Sequence, residues 1–292
     1  MRKAFFQLHT AVFLAGFTAI LGKLITLNEG LIVWYRLLIT IGTLWVLYRV
    51  QGKIQKISWK SIVQLSAVGA IAALHWVTFY ASIKNSNVSV ALVCFSSIGF
   101  FTAVLEPLLL KHRVSVIEIL LGLLAIAGIL LIFHFDPRFK TGIIIGIISA
   151  FLGSIFPICN RRFLQSMSSE NVMLFELTGG FLLLSILVPF YLRWLPADFS
   201  IPGWNDLALL LILSWVCTVI AFNLSMKALQ KISAFTVNLT YNLEPLYGIA
   251  MAFIFFREDK SVESSFYWGL SLIVLSIAIQ TLLIYRKHKK TA

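Results

Sequence analysis

The sequence predicts an all-α polytopic membrane protein of ten transmembrane helices, built as two inverted five-helix repeats. Three observations carry this: a shortage of charge, ten apolar runs of membrane-crossing length, and a motif that recurs in the second half of the chain. Of 292 residues, 59% are hydrophobic and 12% charged, and the mean hydropathy is +0.91. A soluble domain carries about twice that share of charge. Too little remains to solvate a folded surface of this size, so much of the surface must face lipid. Cys94, Cys159 and Cys217 each sit inside an apolar run, with no metal-type or redox-type spacing. They read as small hydrophobes.

A helix needs about 20 apolar residues to cross about 30 Å of hydrocarbon. In order, the runs cover residues 5–22, 31–48, 62–83, 88–110 and 114–133, then 141–159, 172–192, 207–226, 234–256 and 266–285. The first follows Met1-Arg2-Lys3 and mimics a signal peptide. No small-x-small cleavage site follows it, and it reads as a retained first helix. The second carries Arg36, and the third carries His75, Trp76, Phe79 and Tyr80. The sixth contains Pro157 ahead of Asn160, the eighth Asn223, and the ninth Asn238, Tyr241, Asn242 and Glu244 ahead of Pro245. Tyr48, Trp59, Trp204 and Tyr285 stand near span ends, as interfacial anchors do. Alternating strands of a membrane barrel are not seen.

The net charge is +12, but the basic residues lie between the apolar runs and form no stripe suited to nucleic acid. With the N-terminus inside, sixteen Lys and Arg fall in inner loops and tails, among them Arg286, Lys287, Lys289 and Lys290. Seven fall outside: Lys23, Lys84, Arg138, Lys140, Arg193, Arg257 and Lys260. This bias places both termini in the cytoplasm and requires an even number of spans. Every loop is short, so no soluble catalytic domain sits between helices.

Ala81-x-x-Lys84-x-Ser86 recurs as Ala228-x-x-Lys231-x-Ser233, an offset of 147, and Gly122-Leu123 recurs as Gly269-Leu270 in the same register. A competing match, Leu105-Glu106-Pro107 with Leu243-Glu244-Pro245, has an offset of 138 and would require an insertion. The first register is preferred. It divides the chain into repeats of 1–136 and 137–292. Five spans per repeat is odd, so the second repeat enters the membrane from the opposite side. Secondary transporters use such symmetry for alternating access.

The chain resembles the drug/metabolite transporter superfamily, specifically its EamA-type carriers. The resemblance rests on Lys23 ending the first span, Arg36 in the second, the run Ala81-Ser82-Ile83-Lys84-Asn85-Ser86, Leu243-Glu244-Pro245, Arg257-Glu258 and the glycine-bearing last span. Two positions depart from the family pattern: Ile98 stands where proline is usual and Lys111 where glutamate is usual. The resemblance implies transport of metabolites such as amino acids, often as export, through a cavity lined by spans 1, 3, 4, 6, 8 and 9.

Polar residues inside a membrane are costly and mark candidate sites. His75 and Phe79 share a helix face beside Trp76 and Tyr80, a set that can grip an organic solute by stacking and hydrogen bonding. Asn238 and Asn242 share another face, with Tyr241 and Glu244 beside it and a ladder broken by Pro245. These eight residues are the candidate substrate contacts. Glu244 is also the candidate proton-coupling group. About ten residues into its span it lies at the midplane, where an ionised carboxylate costs at least ~2 kcal/mol. An acid balanced between desolvation and a nearby cation such as Arg36 can exchange a proton. Arg36 itself lies close enough to its span end to snorkel. Glu106 suits snorkelling or an ion pair. Asn160 and Asn223 suit either the cavity or helix–helix bonding.

The function expected is a secondary carrier of small organic metabolites in the cell membrane, with the bilayer and a small-molecule substrate as partners. No cofactor or metal is implied, and monomer and homodimer stay open. No G-x-x-x-x-G-K-[ST] motif occurs, so ATP is not the direct driver. A channel would line its pore with carbonyl or charge rings. A membrane-embedded enzyme would need a nucleophile–base pair or metal cluster, and the histidines His9, His75, His112, His134 and His288 are scattered.

Overall fold

The computed structural model describes residues 2–111, 113–133, 137–194, 199–241, 243–260 and 262–291. Asn242, His112, His134, the 136/137 repeat boundary and the side chains of Tyr285, Arg286, Lys287, His288, Lys289 and Lys290 lie outside the described residues.

Each apolar run forms a helical span. The first repeat holds α1 (Arg2–Leu24), α2 (Glu29–Val50), α3 (Trp59–Lys84), α4 (Val88–Phe95) with α5 (Ile98–Leu110), and α6 (Val116–Phe133). The second holds α7 (Lys140–Phe163), α8 (Ser169–Trp194), α9 (Trp204–Ser214) with α10 (Ala221–Leu229), α11 (Ala234–Tyr241) with α12 (Glu244–Phe256), and α13 (Ser264–Thr291). Among the described residues, seven helical spans are long and apolar enough to cross a bilayer; those of α6, α12 and α13 have shorter apolar stretches. Large apolar side chains such as Phe6, Val46, Leu130, Phe190 and Trp268 are exposed on the outside of the bundle, where lipid solvates them.

The runs at 88–110 and 234–256 are each broken in the middle, which hydropathy does not reveal. The breaks fall at Ser96–Ser97 and between the end of α11 at Tyr241 and the start of α12 at Glu244, so they are equivalent in the two repeats. The helix starts match too. Val90 N–H donates to Asn87 Oδ1 at 2.7 Å, and Thr236 N–H donates to Ser233 Oγ at 3.1 Å. Both spans then end on a left-handed residue, Lys111 at φ 57° and Arg257 at φ 54°. All three pairs share a spacing one residue shorter than the offset of the sequence match, so the competing Leu-Glu-Pro register is not the structural one.

The packing obeys the same exchange of halves. The α3–α7 pairing has its counterpart in α1 against α10, α3–α8 in α2 against α9, and α4/α5 on α7 in α12/α11 on α1. The pairs α2–α8 and α6–α13 map onto themselves, and α4–α12 and α5–α11 map onto each other. End contacts fix how the spans alternate. At one end Thr26 N–H and Oγ1 donate to Asp206 at 3.1 and 2.6 Å, Tyr191 bonds Glu29, Lys84 reaches the Leu27 carbonyl, and Ser82 Oγ donates to Gly142 O at 2.7 Å. At the other, Lys53 pairs with Glu170 at 3.3 Å and Asn171 Oδ1 accepts from Gln55 N–H at 2.9 Å. Odd spans therefore end where even spans begin, as ten alternating crossings require.

The closest approach lies between α3 and α8. A Cβ added to Gly69 would stand 1.7 Å from the Glu176 carbonyl oxygen, whereas one on Gly42 would meet nothing within 4 Å. Gly69→Ala is therefore expected to cost at least ~2 kcal/mol by forcing the helices apart. Gly42→Ala should be neutral or slightly stabilising. Thermal unfolding of the two purified variants checks the contrast; equal melting temperatures would contradict it.

Trp59 and Trp204 are 76% and 88% exposed at span ends, consistent with anchoring. Tyr48 is not an anchor of this kind: it is 3% exposed and packs inside the bundle. Cys94, Cys159 and Cys217 are free thiols, none of them on an exposed surface.

Candidate functional site

A cavity lies between α1, α2, α3, α4, α5, α7, α10, α11 and α12, with Cys217 of the α9–α10 span also in its wall. Its wall reaches Asn160, Leu229 and Val237, within one helical turn of the helix ends on the side of the N-terminus. The opposite side is sealed. There the Glu258 carboxylate accepts from Val88 N–H at 3.2 Å, Ser89 N–H at 2.9 Å and Ser89 Oγ at 2.7 Å, and pairs with Lys23 at 3.3 Å. A carboxylate on the first amides of α4 also meets the positive end of that helix. Tyr80 closes the same side, packed so tightly on α1 that a Cβ at Gly22 would lie 2.2 Å from its ring.

Arg36 is the principal correction to the sequence reading. It does not snorkel. It is 2% exposed and points into the protein. Its Nε donates to Thr218 Oγ1 at 2.7 Å, its Nη1 donates to the Tyr80 hydroxyl at 3.0 Å, and its Cζ stacks 4.1 Å from the Trp76 ring centroid. Thr218 reaches this position because residues Trp215–Ile220 are wound as a π-helix between α9 and α10. Its hydroxyl donates five residues back, to Leu213 O at 2.9 Å. Such widened turns recur at functional sites because they re-aim a side chain. Ser214 Oγ adds a bond to the Arg36 carbonyl at 3.2 Å.

Glu244 starts α12 at the break and is 6% exposed on the cavity wall. Arg36 lines the same cavity from α2. Pro245 has no N–H, so the Tyr241 carbonyl loses its ordinary helical donor at the same place. An arginine and a glutamate from different helices thus line one cavity.

Of the eight candidate contacts, His75, Trp76, Phe79, Asn238, Tyr241 and Glu244 border the cavity. Tyr80 does not; it stands behind Arg36 and holds the guanidinium. Asn242 lies outside the described residues. His75 is fixed by the Ser149 carbonyl 2.8 Å from Nδ1, which makes Nδ1 the protonated nitrogen and leaves Nε2 as an acceptor. Its ring lies 5.6 to 6.2 Å from those of Phe79, Phe95 and Phe156, so the histidine belongs to an aromatic wall. Asn238 Nδ2 donates to Thr102 Oγ1 at 2.9 Å, tying α11 to α5. Asn160 borders the cavity and Asn223 does not. Glu106 forms the ion pair expected, with Arg161 at 3.5 Å. Glu176, fully buried in α8, is absent from the sequence-based candidates. A lone carboxylate within the apolar run 172–192 is the signal that would have found it.

Ten helices in two inverted halves around a charged, aromatic-walled cavity define a polytopic membrane transporter of small solutes. The chain belongs to the EamA-like transporter family, whose model matches residues 2–134 and 140–282. The two matched stretches follow one another as the repeats do. A solved crystal structure of a protein superposes with a TM-score of 0.70 over 98% of this chain and 99% of that one, at 16% identity, which establishes the shared fold. A comparison with curated proteins returns no match.

Proposed function

We propose that the protein is a secondary carrier that exports small organic metabolites, amino acids or similar solutes, across the cell membrane by alternating access. The observation that carries the reading is the placement of Arg36 and Glu244 on the walls of one cavity, which suits a solute bearing both charges. The halves 1–136 and 137–292 rock against each other, with both termini cytoplasmic. The sealed Lys23–Glu258 end then faces outward, and the cavity loads from the cytoplasm, as export requires. His75, Trp76 and Phe79 stack on the apolar part of the solute. Asn238, Tyr241 and Asn242 supply hydrogen bonds along the broken span, and Tyr80 serves the site through Arg36. Glu244 exchanges the coupling proton or meets the amino group of the solute. The seal argues against a channel, which would need a continuous path.

Purified protein in liposomes preloaded with a mixture of amino acids should show saturable, countertransport-stimulated flux. Alanine at His75, Trp76 or Phe79 should raise the KM for transported solutes by about tenfold, the loss of about 1.4 kcal/mol of contact each. Flux that rises linearly with concentration and ignores countersubstrate would sink the carrier reading.

A further inference from the structure

The cavity wall contributed by α7 has a chemistry of its own. Gly153, Pro157 and Asn160 are spaced i, i+4 and i+7, so they share one helix face, and all three border the cavity. Pro157 has no N–H, which deprives the Gly153 carbonyl of its ordinary helical donor. One turn further on, Asn160 is buried with its two ends in different situations. Its Nδ2 lies 3.0 and 2.9 Å from the two carboxylate oxygens of Glu176. Its Oδ1 is buried without a hydrogen-bond partner among the described residues. The amide nitrogen is thus the end that Glu176 holds, through an oxygen that accepts whether or not the acid is protonated, and the carbonyl is turned away from it. This face therefore carries two under-satisfied acceptors and no spare donor. A buried acceptor without a partner is costly, and a ligand N–H relieves that cost.

We propose that this face of α7 is an amine subsite: the Gly153 carbonyl and Asn160 Oδ1 accept N–H bonds from an amino or ammonium group of the cargo, and Glu176 is the positioning residue that holds the Asn160 amide in that orientation. The inference rests on the carrier reading and adds to it where the cargo's nitrogen is recognised. Glu176 stands behind Asn160 and acts through it, without touching the cargo.

The test compares amino acids with their N,N,N-trimethyl counterparts, which keep the positive charge but have no N–H. Proteoliposomes are loaded with both mixtures and flux is read by mass spectrometry. The wild-type protein should prefer the amino acids. Asn160→Leu should lower that preference at least about tenfold, the worth of one good hydrogen bond to a charged group. Glu176→Leu should lower it similarly, whereas Glu176→Gln, which keeps an acceptor for Asn160 Nδ2, should retain it. A merely structural acid would change expression or rate for both mixtures alike and leave the preference untouched. Because Asn160→Leu leaves the Glu176 carboxylate buried without its donor, the double variant Asn160→Leu/Glu176→Leu is measured beside it. Removing both partners avoids that penalty. An unchanged preference in the double variant overturns the proposal. Wild-type flux of the trimethyl compounds equal to that of the amino acids overturns the subsite alone and leaves the carrier reading standing. Transport of neither mixture removes both.

Discussion

Replacing Arg36 with alanine should reduce counterflow by more than about a hundredfold while the protein still inserts and purifies. The side chain is buried, stacked on Trp76, and bonded to Thr218 and Tyr80. Its removal deletes the guanidinium from the cavity wall and leaves the buried Thr218 and Tyr80 hydroxyls without their donor. Two hydrogen bonds to a charged group are worth about 3 kcal/mol together, and about 3 kcal/mol corresponds to a hundredfold. Arg36→Lys keeps the charge but loses the planar fork and much of the stacking. It should recover no more than about a tenth of the rate, since one lost 1.4 kcal/mol contact is already tenfold. Initial rates in proteoliposomes, normalised to reconstituted protein, decide the matter. Arg36→Lys at the wild-type rate would mean that only the charge matters, and Arg36→Ala at that rate would remove Arg36 from the site.

Glu244→Gln should slow transport at least about tenfold, equivalent to one 1.4 kcal/mol interaction, and should flatten its dependence on pH. Glutamine keeps the shape and hydrogen bonding of the acid but cannot ionise. Glu244 stands at the break between α11 and α12, on the cavity wall. The measurement is rate against pH for both proteins, with and without an imposed proton gradient. Wild-type rates with an unchanged pH profile would reduce Glu244 to a helix-packing acid bonded within the bundle.

The double arginine prediction and the glutamate prediction bear on each other. If the two groups serve one cargo, Arg36→Ala/Glu244→Gln should be less impaired than the sum of the single losses, because groups acting on a shared ligand do not contribute additively.

Hydropathy made the ten spans legible, since a helix that crosses hydrocarbon must be apolar along about 20 consecutive residues whatever it packs against. Each run 5–22 to 266–285 became a helical span, with ends moved by a few residues. The repeat was legible at the loops near Lys84 and Lys231, where short polar motifs survive between lipid-facing stretches. Part of the cavity lining was legible where polarity is rare. His75, Trp76, Phe79, Asn238, Tyr241 and Glu244 stood out against apolar neighbours and border the cavity.

What the sequence by itself determined is thus the membrane class, the helix count, the inverted halves and the helices that carry polar groups. Only the tertiary structure decided which of those groups face one another. Arg36 reads as a snorkelling side chain because depth along one helix is all that the sequence records. Its true partners, Tyr80 and Thr218, are 44 and 182 positions away. The π-helical turn that presents Thr218 and the mid-span breaks at Ser96–Ser97 and between α11 and α12 leave no mark on hydropathy. Glu176 and Asn160 read as separate polar residues until α7 and α8 bring them together. The physical reason is common to all of these. Insertion into lipid depends on the composition of one segment at a time, whereas the cost of a buried charge or an unpaired carbonyl is settled by whichever neighbouring helix supplies the partner.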